Sequence, residues 1–228
     1  MINQDKFNEF LKKYNIEIKN FNYFQEALTH NSYIKFQAKN KNIKNYQTLE
    51  FLGDSILQFL VSVFLYKNHN ELEQGKLTLL RSKMVNTKNL NELSHELKLL
   101  DFLLTASGKM SIEVKKSEKV GADIFESLVG AIFLDQGLEK TINFLKQTLF
   151  PTVNKFNVEN LKDFKSQLQE YMQSFSKKTV NYQTISINND HFEAKAIHNN
   201  NTYGVGIGKN KLEAEENAAK NALEKLKK

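Results

Sequence analysis

The chain has 228 residues, enough for one large domain or two unequal ones, and 40% of them are hydrophobic, as suits a globular protein. It has no cysteine, which excludes disulfides and thiolate metal sites, and a net charge of +6 with a pI near 9.2 favours a polyanionic partner. The longest apolar stretch, residues 59–66, is too short to cross a bilayer, and the polar start MINQDKFNEF does not read as a signal peptide. A cytoplasmic protein with no membrane partner is expected.

In chain order, residues 7–14 and 22–29 repeat apolar side chains at three- and four-residue spacing and predict helices. The next helix, 49–66, lies in the run TLEFLGDSILQFLVSVFLY and carries Glu50 and Asp54 one turn apart on one face. Two ionised carboxylates that close, among Leu, Phe, Ile and Val, face desolvation and mutual repulsion unless something pairs with them. Helices follow at 77–85 and 87–97. A further helical stretch starts near residue 122, within GADIFESLVGAIFLDQG, and places Asp123 and Glu126 three apart on one face.

Gly53 and Gly130 interrupt the two acid-bearing helices at about 1 kcal/mol each relative to alanine, which a helix tolerates where backbones pack closely. If the helices cross there, four carboxylates converge. An all-oxygen set suits Mg²⁺ or Mn²⁺, and paired hard cations serve displacement at phosphorus. Spacing alone leaves the bland reading open, in which the acids lie on solvated faces and pair with lysines. A carboxylate di-iron bundle would need two Glu-x-x-His pairs. The chain has one, Glu92 to His95, outside both acidic runs, and His95 is expected on an ordinary helix face.

The only proline, Pro151, divides the chain. Residues 1–151 read as a mainly α domain and 152–160 as a linker. Residues 161–228 read as a small α+β domain of order α-β-β-β-α: a helix at 161–175, strands at 180–187, 192–198 and 202–208, and an alanine-rich helix at 211–226. Residues 1–160 carry 21 Lys+Arg against 18 Asp+Glu, and 161–228 carry 11 against 8. Neither part is a basic tail, so nucleic-acid contact has to come from local patches. On the first helix of the small domain Ser166, Gln169 and Glu170 share a polar side. Asn188 to His191 read as the inter-strand loop, Lys209 and Lys211 precede the last helix, and Ala214, Ala218, Ala219 and Ala222 pack it on the sheet. Such a layout suits duplex RNA, which is read through 2′-hydroxyls and phosphates.

Leu49-Glu50-Phe51-Leu52-Gly53-Asp54-Ser55 resembles the signature of ribonuclease III. Residues 27–33, ALTHNSY, and 122–132, ADIFESLVGAI, resemble two further segments of that family, and the C-terminal module resembles a double-stranded-RNA-binding domain. The resemblance implies an α-helical ribonuclease III endonuclease domain followed by that module. It implies that Glu50, Asp54, Asp123 and Glu126 hold Mg²⁺ (Mn²⁺ substituting), with Glu126 and Asp54 closest to the chemistry and no small-molecule cofactor. It further implies a homodimer that hydrolyses duplex RNA to 5′-phosphate and 3′-hydroxyl ends, in processing ribosomal precursors and structured messengers. Ser166, Gln169, Glu170, His191, Lys209 and Lys211 are the expected RNA contacts.

Departures from the family pattern fall at Gln47 and Gln74, where glutamates are usual, so both are candidate substrate-tuning positions. Lys109 and Lys119 replace an acid and a serine and read as tuning of RNA contacts. The loop before His191 is short and lacks Gly-Pro, and Leu212 replaces one of two lysines opening the last helix, which predicts weakened RNA binding by the module. A non-catalytic duplex-RNA binder on the same fold is the competing function. It would have no need of all four acids.

Overall fold

The computed structural model describes residues 2–36, 44–156, 164–188 and 190–226. The chain divides into two compact units, Met1–Val158 and Glu159–Lys228.

The first unit is built from α1 (Gln4–Lys12), α2 (Phe21–Ala27), α3 (Asn31–Phe36), α4 (Gln47–Asn68), α5 (Gln74–Met84), α6 (Thr87–Glu96), α7 (Lys109–Lys116), α8 (Glu118–Gln136) and α9 (Leu138–Gln147). Short 3₁₀ turns occupy Leu99–Asp101 and Phe150–Lys155. The first turns of several helices are closed by side chains that accept from orphan amides: Asn3 from Lys6, Asn20 from Asn22, Asn86 from Asn89 and Ser117 from Val120. The organising element is α8. Almost every residue from Val120 to Ile132 is buried, and α2, α4, α6 and α9 pack around it. Gly137, at φ +80°, ends α8 and starts α9, so the stretch read as starting near residue 122 begins at Glu118 and becomes two helices. Three of the described helices escape the periodicity reading: α3 and α7, of six and eight residues, are too short to show a repeat, and α9 is hidden behind Gly137.

By length and composition α4 would suffice to cross a membrane. Here Leu49, Gly53, Leu57, Val61 and Leu65 form a buried face, and α4 packs against α8. The opposite face stays open, with Phe51 76%, Phe59 58% and Tyr66 74% exposed. The run is therefore buried on one face only, and its open face carries aromatic side chains. Thr152 and Val153, read as the start of a linker, are buried in the 3₁₀ turn, where Asn89 Nδ2 donates to Thr152 Oγ1 at 3.1 Å. His95 is exposed on α6.

The second unit is α10 (Phe164–Gln173), β1 (Asn181–Asn188), β2 (His191–His198), β3 (Asn201–Gly208) and α11 (Lys211–Leu226). The strands form one antiparallel sheet in the order β1-β2-β3. The expected α-β-β-β-α order is observed, although residues 161–163, read as the start of the first helix, lie outside the described residues. Gly204, Gly206 and Gly208 alternate along β3 under α11, where any Cβ would strike the backbone of Ala214 or Ala218 or the chain beside them. Leu168, Met172, Ala194, Ala196 and the four alanines of α11 fill the core between helices and sheet.

Candidate functional site

α4 and α8 meet at their glycines. A Cβ on Gly53 would collide with the carbonyl of Glu126, and one on Gly130 would lie 2.6 Å from the carbonyl oxygen of Leu49. This backbone-to-backbone contact sets one acid of α4 against two of α8. Carboxylate oxygens of Glu50, Asp123 and Glu126 lie within 4.8 Å of one another. Asp54 stands outside that group. It is exposed and accepts from Gln58 Nε2 at 3.4 Å. It remains electrically part of the site, because after burial its charge does most to raise the pKa of Glu126.

The electrostatics of the group are those of a site short of positive charge. Burial, then the charges of Asp54, Asp123 and Glu50, push Glu126 up to about 8, with Lys119 the opposing cation. Glu50 is also raised, first by burial and then by Asp123. Two residues that sequence reasoning did not place here complete the picture. The Tyr46 hydroxyl donates to Asp123 Oδ2 at 3.3 Å, and burial and then the charge of Asp123 raise its own pKa. Lys119 Nζ donates to both oxygens of Asp123 and to Glu50 Oε1. Tyr46 precedes α4 and carried no signal. Lys119 carried one: it lies four residues before Asp123 on one helix face.

His30, from the ALTHNSY segment, lies beside this network. Its ring is 5.9 Å from that of Tyr46, its Nδ1 is 2.8 Å from Ser32 Oγ, and burial lowers its pKa. Gln47 opens α4 and is exposed, with its amide oxygen accepting from Asn45 Nδ2 at 3.1 Å. Gln74 opens α5 and is exposed. Lys109, also exposed, lies 3.9 Å from Glu113.

In the second unit Ser166 and Glu170 are exposed on α10. Gln169 is not presented with them: it is half-buried, and its Oε1 accepts from the Val180 amide at 2.8 Å, tying α10 to the approach to β1. The expected loop is shorter than read. Asn188 ends β1 and His191 begins β2 as cross-strand partners, so His191 is an exposed strand residue. Lys209 and Lys211 are exposed at the start of α11. The helix end between them is already capped: Asn210 accepts from the Glu213 amide, and Glu213 accepts from the Lys209 amide.

Comparison with known proteins matches residues 20–153 to the model described as Ribonuclease-III-like and residues 164–226 to the double-stranded RNA binding motif. The chain is 46% identical over 219 residues to Ribonuclease 3 of Mycoplasmopsis synoviae, covering 96% of this chain and 94% of that protein. It is 38% identical to Ribonuclease 3 of Ureaplasma parvum, covering 97% and 95%. A solved structure of the nuclease domain of ribonuclease III from Campylobacter jejuni, described as flexible in a region involved in dimer formation, is 31% identical. It aligns with a TM-score of 0.53 over 63% of this chain and 97% of that one.

Proposed function

The chain belongs to the ribonuclease III family, whose double-stranded RNA binding motif it also carries, and we propose that it is a Mg²⁺-dependent nuclease cutting duplex RNA into 5′-phosphate and 3′-hydroxyl ends. One observation carries the metal reading: three carboxylates crowd within 4.8 Å, and Glu126 is pushed up to about 8 in their company. Crowded oxygen donors of this kind fit a hard divalent ion, Mg²⁺ or Mn²⁺.

Glu50, Asp123 and Glu126 would hold the ion, with Asp54 at the edge of the site. The bound ion supplies Lewis-acid activation of water and charge stabilisation at phosphorus. Glu126 has to release its proton to become a ligand, and the Tyr46 hydroxyl orients Asp123. Glu126 and Asp54 lie nearest the reacting phosphate in this reading. Gln47 and Gln74 tune substrate placement without charge.

The second unit delivers the duplex. Ser166 and Glu170 on α10, His191 at the start of β2 and the exposed Lys209 and Lys211 are its proposed contacts, with Gln169 supporting α10 from inside. We take the nuclease domain as extending through the 3₁₀ turn Phe150–Lys155, past the boundary at 151 read from the sequence, with a connection after it and 161–228 as the RNA-binding domain. The exposed aromatics of α4 support assembly as a homodimer, in which each subunit cuts one strand. Ribosomal precursors and structured messengers in the cytoplasm are the proposed substrates.

The test is cleavage of long duplex RNA by the purified chain in Mg²⁺ and in chelator, beside Glu126→Ala. Cleavage only by the wild type and only with the ion is the expected result, with duplex binding retained by the variant. No cleavage by the wild type would turn the reading to a non-catalytic binder.

A further inference from the structure

Lys119 lies in the first turn of α8, four residues ahead of Asp123. Its Nζ donates to Asp123 Oδ1 at 2.8 Å and Oδ2 at 2.9 Å, and to Glu50 Oε1 at 3.4 Å. One ammonium thus spans two of the three clustered acids and takes up both oxygens of one of them. The partners are unequal in freedom. The Asp123 side chain is 9% exposed and fixed at the helix crossing, whereas that of Lys119 is 71% exposed on a flexible stem. When a second cation competes for these oxygens, the lysine is the partner that can move.

A divalent ion and this ammonium draw on the same lone pairs, and two cations a few ångströms apart repel. We propose that Lys119 is a built-in counter-ion of the acid cluster: it competes with the divalent ion for Asp123 and Glu50, and once displaced it stands at the edge of the site as a cation for an RNA phosphate. The inference rests on the metal reading above. It assigns Lys119 two opposed effects, weakening metal affinity and strengthening RNA affinity. A surface ion pair kept only for stability would produce neither.

The experiment titrates the full chain with Mn²⁺ alone, without RNA, by calorimetry or by the electron spin resonance of free Mn²⁺. Wild type, Lys119→Met, Lys119→Gln and Glu126→Ala are compared, each checked for folding by circular dichroism. Both Lys119 variants should bind Mn²⁺ about tenfold more tightly than wild type, since either removes the competing charge. At saturating Mn²⁺ their KM for duplex RNA should rise about threefold, with the loss falling on KM more than on kcat. Unchanged or weaker Mn²⁺ binding by both variants, with Glu126→Ala still impaired, would overturn the counter-ion role and leave the metal site standing. Equal Mn²⁺ binding by wild type and Glu126→Ala would remove the metal site and this inference with it.

Discussion

The acids of the two units are treated in opposite ways. In the first, Glu50, Asp123 and Glu126 crowd together with one lysine, which reaches Asp123 and Glu50, and one tyrosine, which reaches Asp123, while Glu126 is pushed up to about 8. In the second, each acid of the early α11 turns has its own donor. Glu215 pairs with Lys165 at 2.6 Å and Thr184 at 2.9 Å, which hold its carboxyl below the usual range. Glu213 accepts from the Lys209 amide and Glu216 from the Phe164 amide. Satisfied carboxylates fasten a fold together, while under-compensated ones mark a place where a ligand is meant to arrive.

The same contrast holds for the glycines. Both units use them to bring a helix against another backbone. In the small unit three alternate glycines seat α11 on β3 and build only a core. In the nuclease unit Gly53 and Gly130 bring two acid-bearing helices together, so the close approach itself builds the site.

The sharpest way to break this comparison is to remove one acid from each unit. Asp123→Ala should lower duplex-RNA cleavage roughly a thousandfold, since metal charge stabilisation is worth several kcal/mol. Glu215→Ala should leave the cleavage step intact, and equal losses in a single-turnover assay would end the distinction. Next in size is Gly53→Ala, which forces the helices apart and should cost about 3 kcal/mol of stability by urea unfolding. A cost below 1 kcal/mol would mean that the crossing tolerates a methyl group.

A smaller effect is expected from pH. Glu126 binds its proton more tightly folded than unfolded, so in chelator this group makes the fold less stable as pH rises from the ordinary carboxylate range to about 8. The divalent ion favours the ionised form, so the melting-temperature gain from Mg²⁺ should grow over that interval. A gain that shrinks with rising pH would contradict the assignment of Glu126 as a ligand. Smallest is Lys165→Met, which removes a partly exposed ion pair and should cost about 0.5 kcal/mol, measurable by the same urea titration.

Much of this was legible in the chain itself. The two acidic helices, the glycines at their crossing, the α-β-β-β-α order and the alanine face of α11 all follow from local spacing, because periodicity and residue size are written along one segment at a time. The limits of that reading lie where segments meet. Nothing near Tyr46 announced a hydrogen bond to a residue 77 positions away, and nothing near Gln169 announced that its side-chain oxygen accepts from the Val180 amide.

Sequence by itself determined which residues carry charge and which helix face each occupies, so it fixed the chemistry available: oxygen donors in pairs and a module suited to duplex RNA. Tertiary structure alone decided that three acids share one space while Asp54 stands at its edge, and that Lys119 reaches across to Glu50 as well as to Asp123. Distances between helices depend on how their backbones pack, and no local pattern encodes a gap of a few ångströms between segments seventy residues apart.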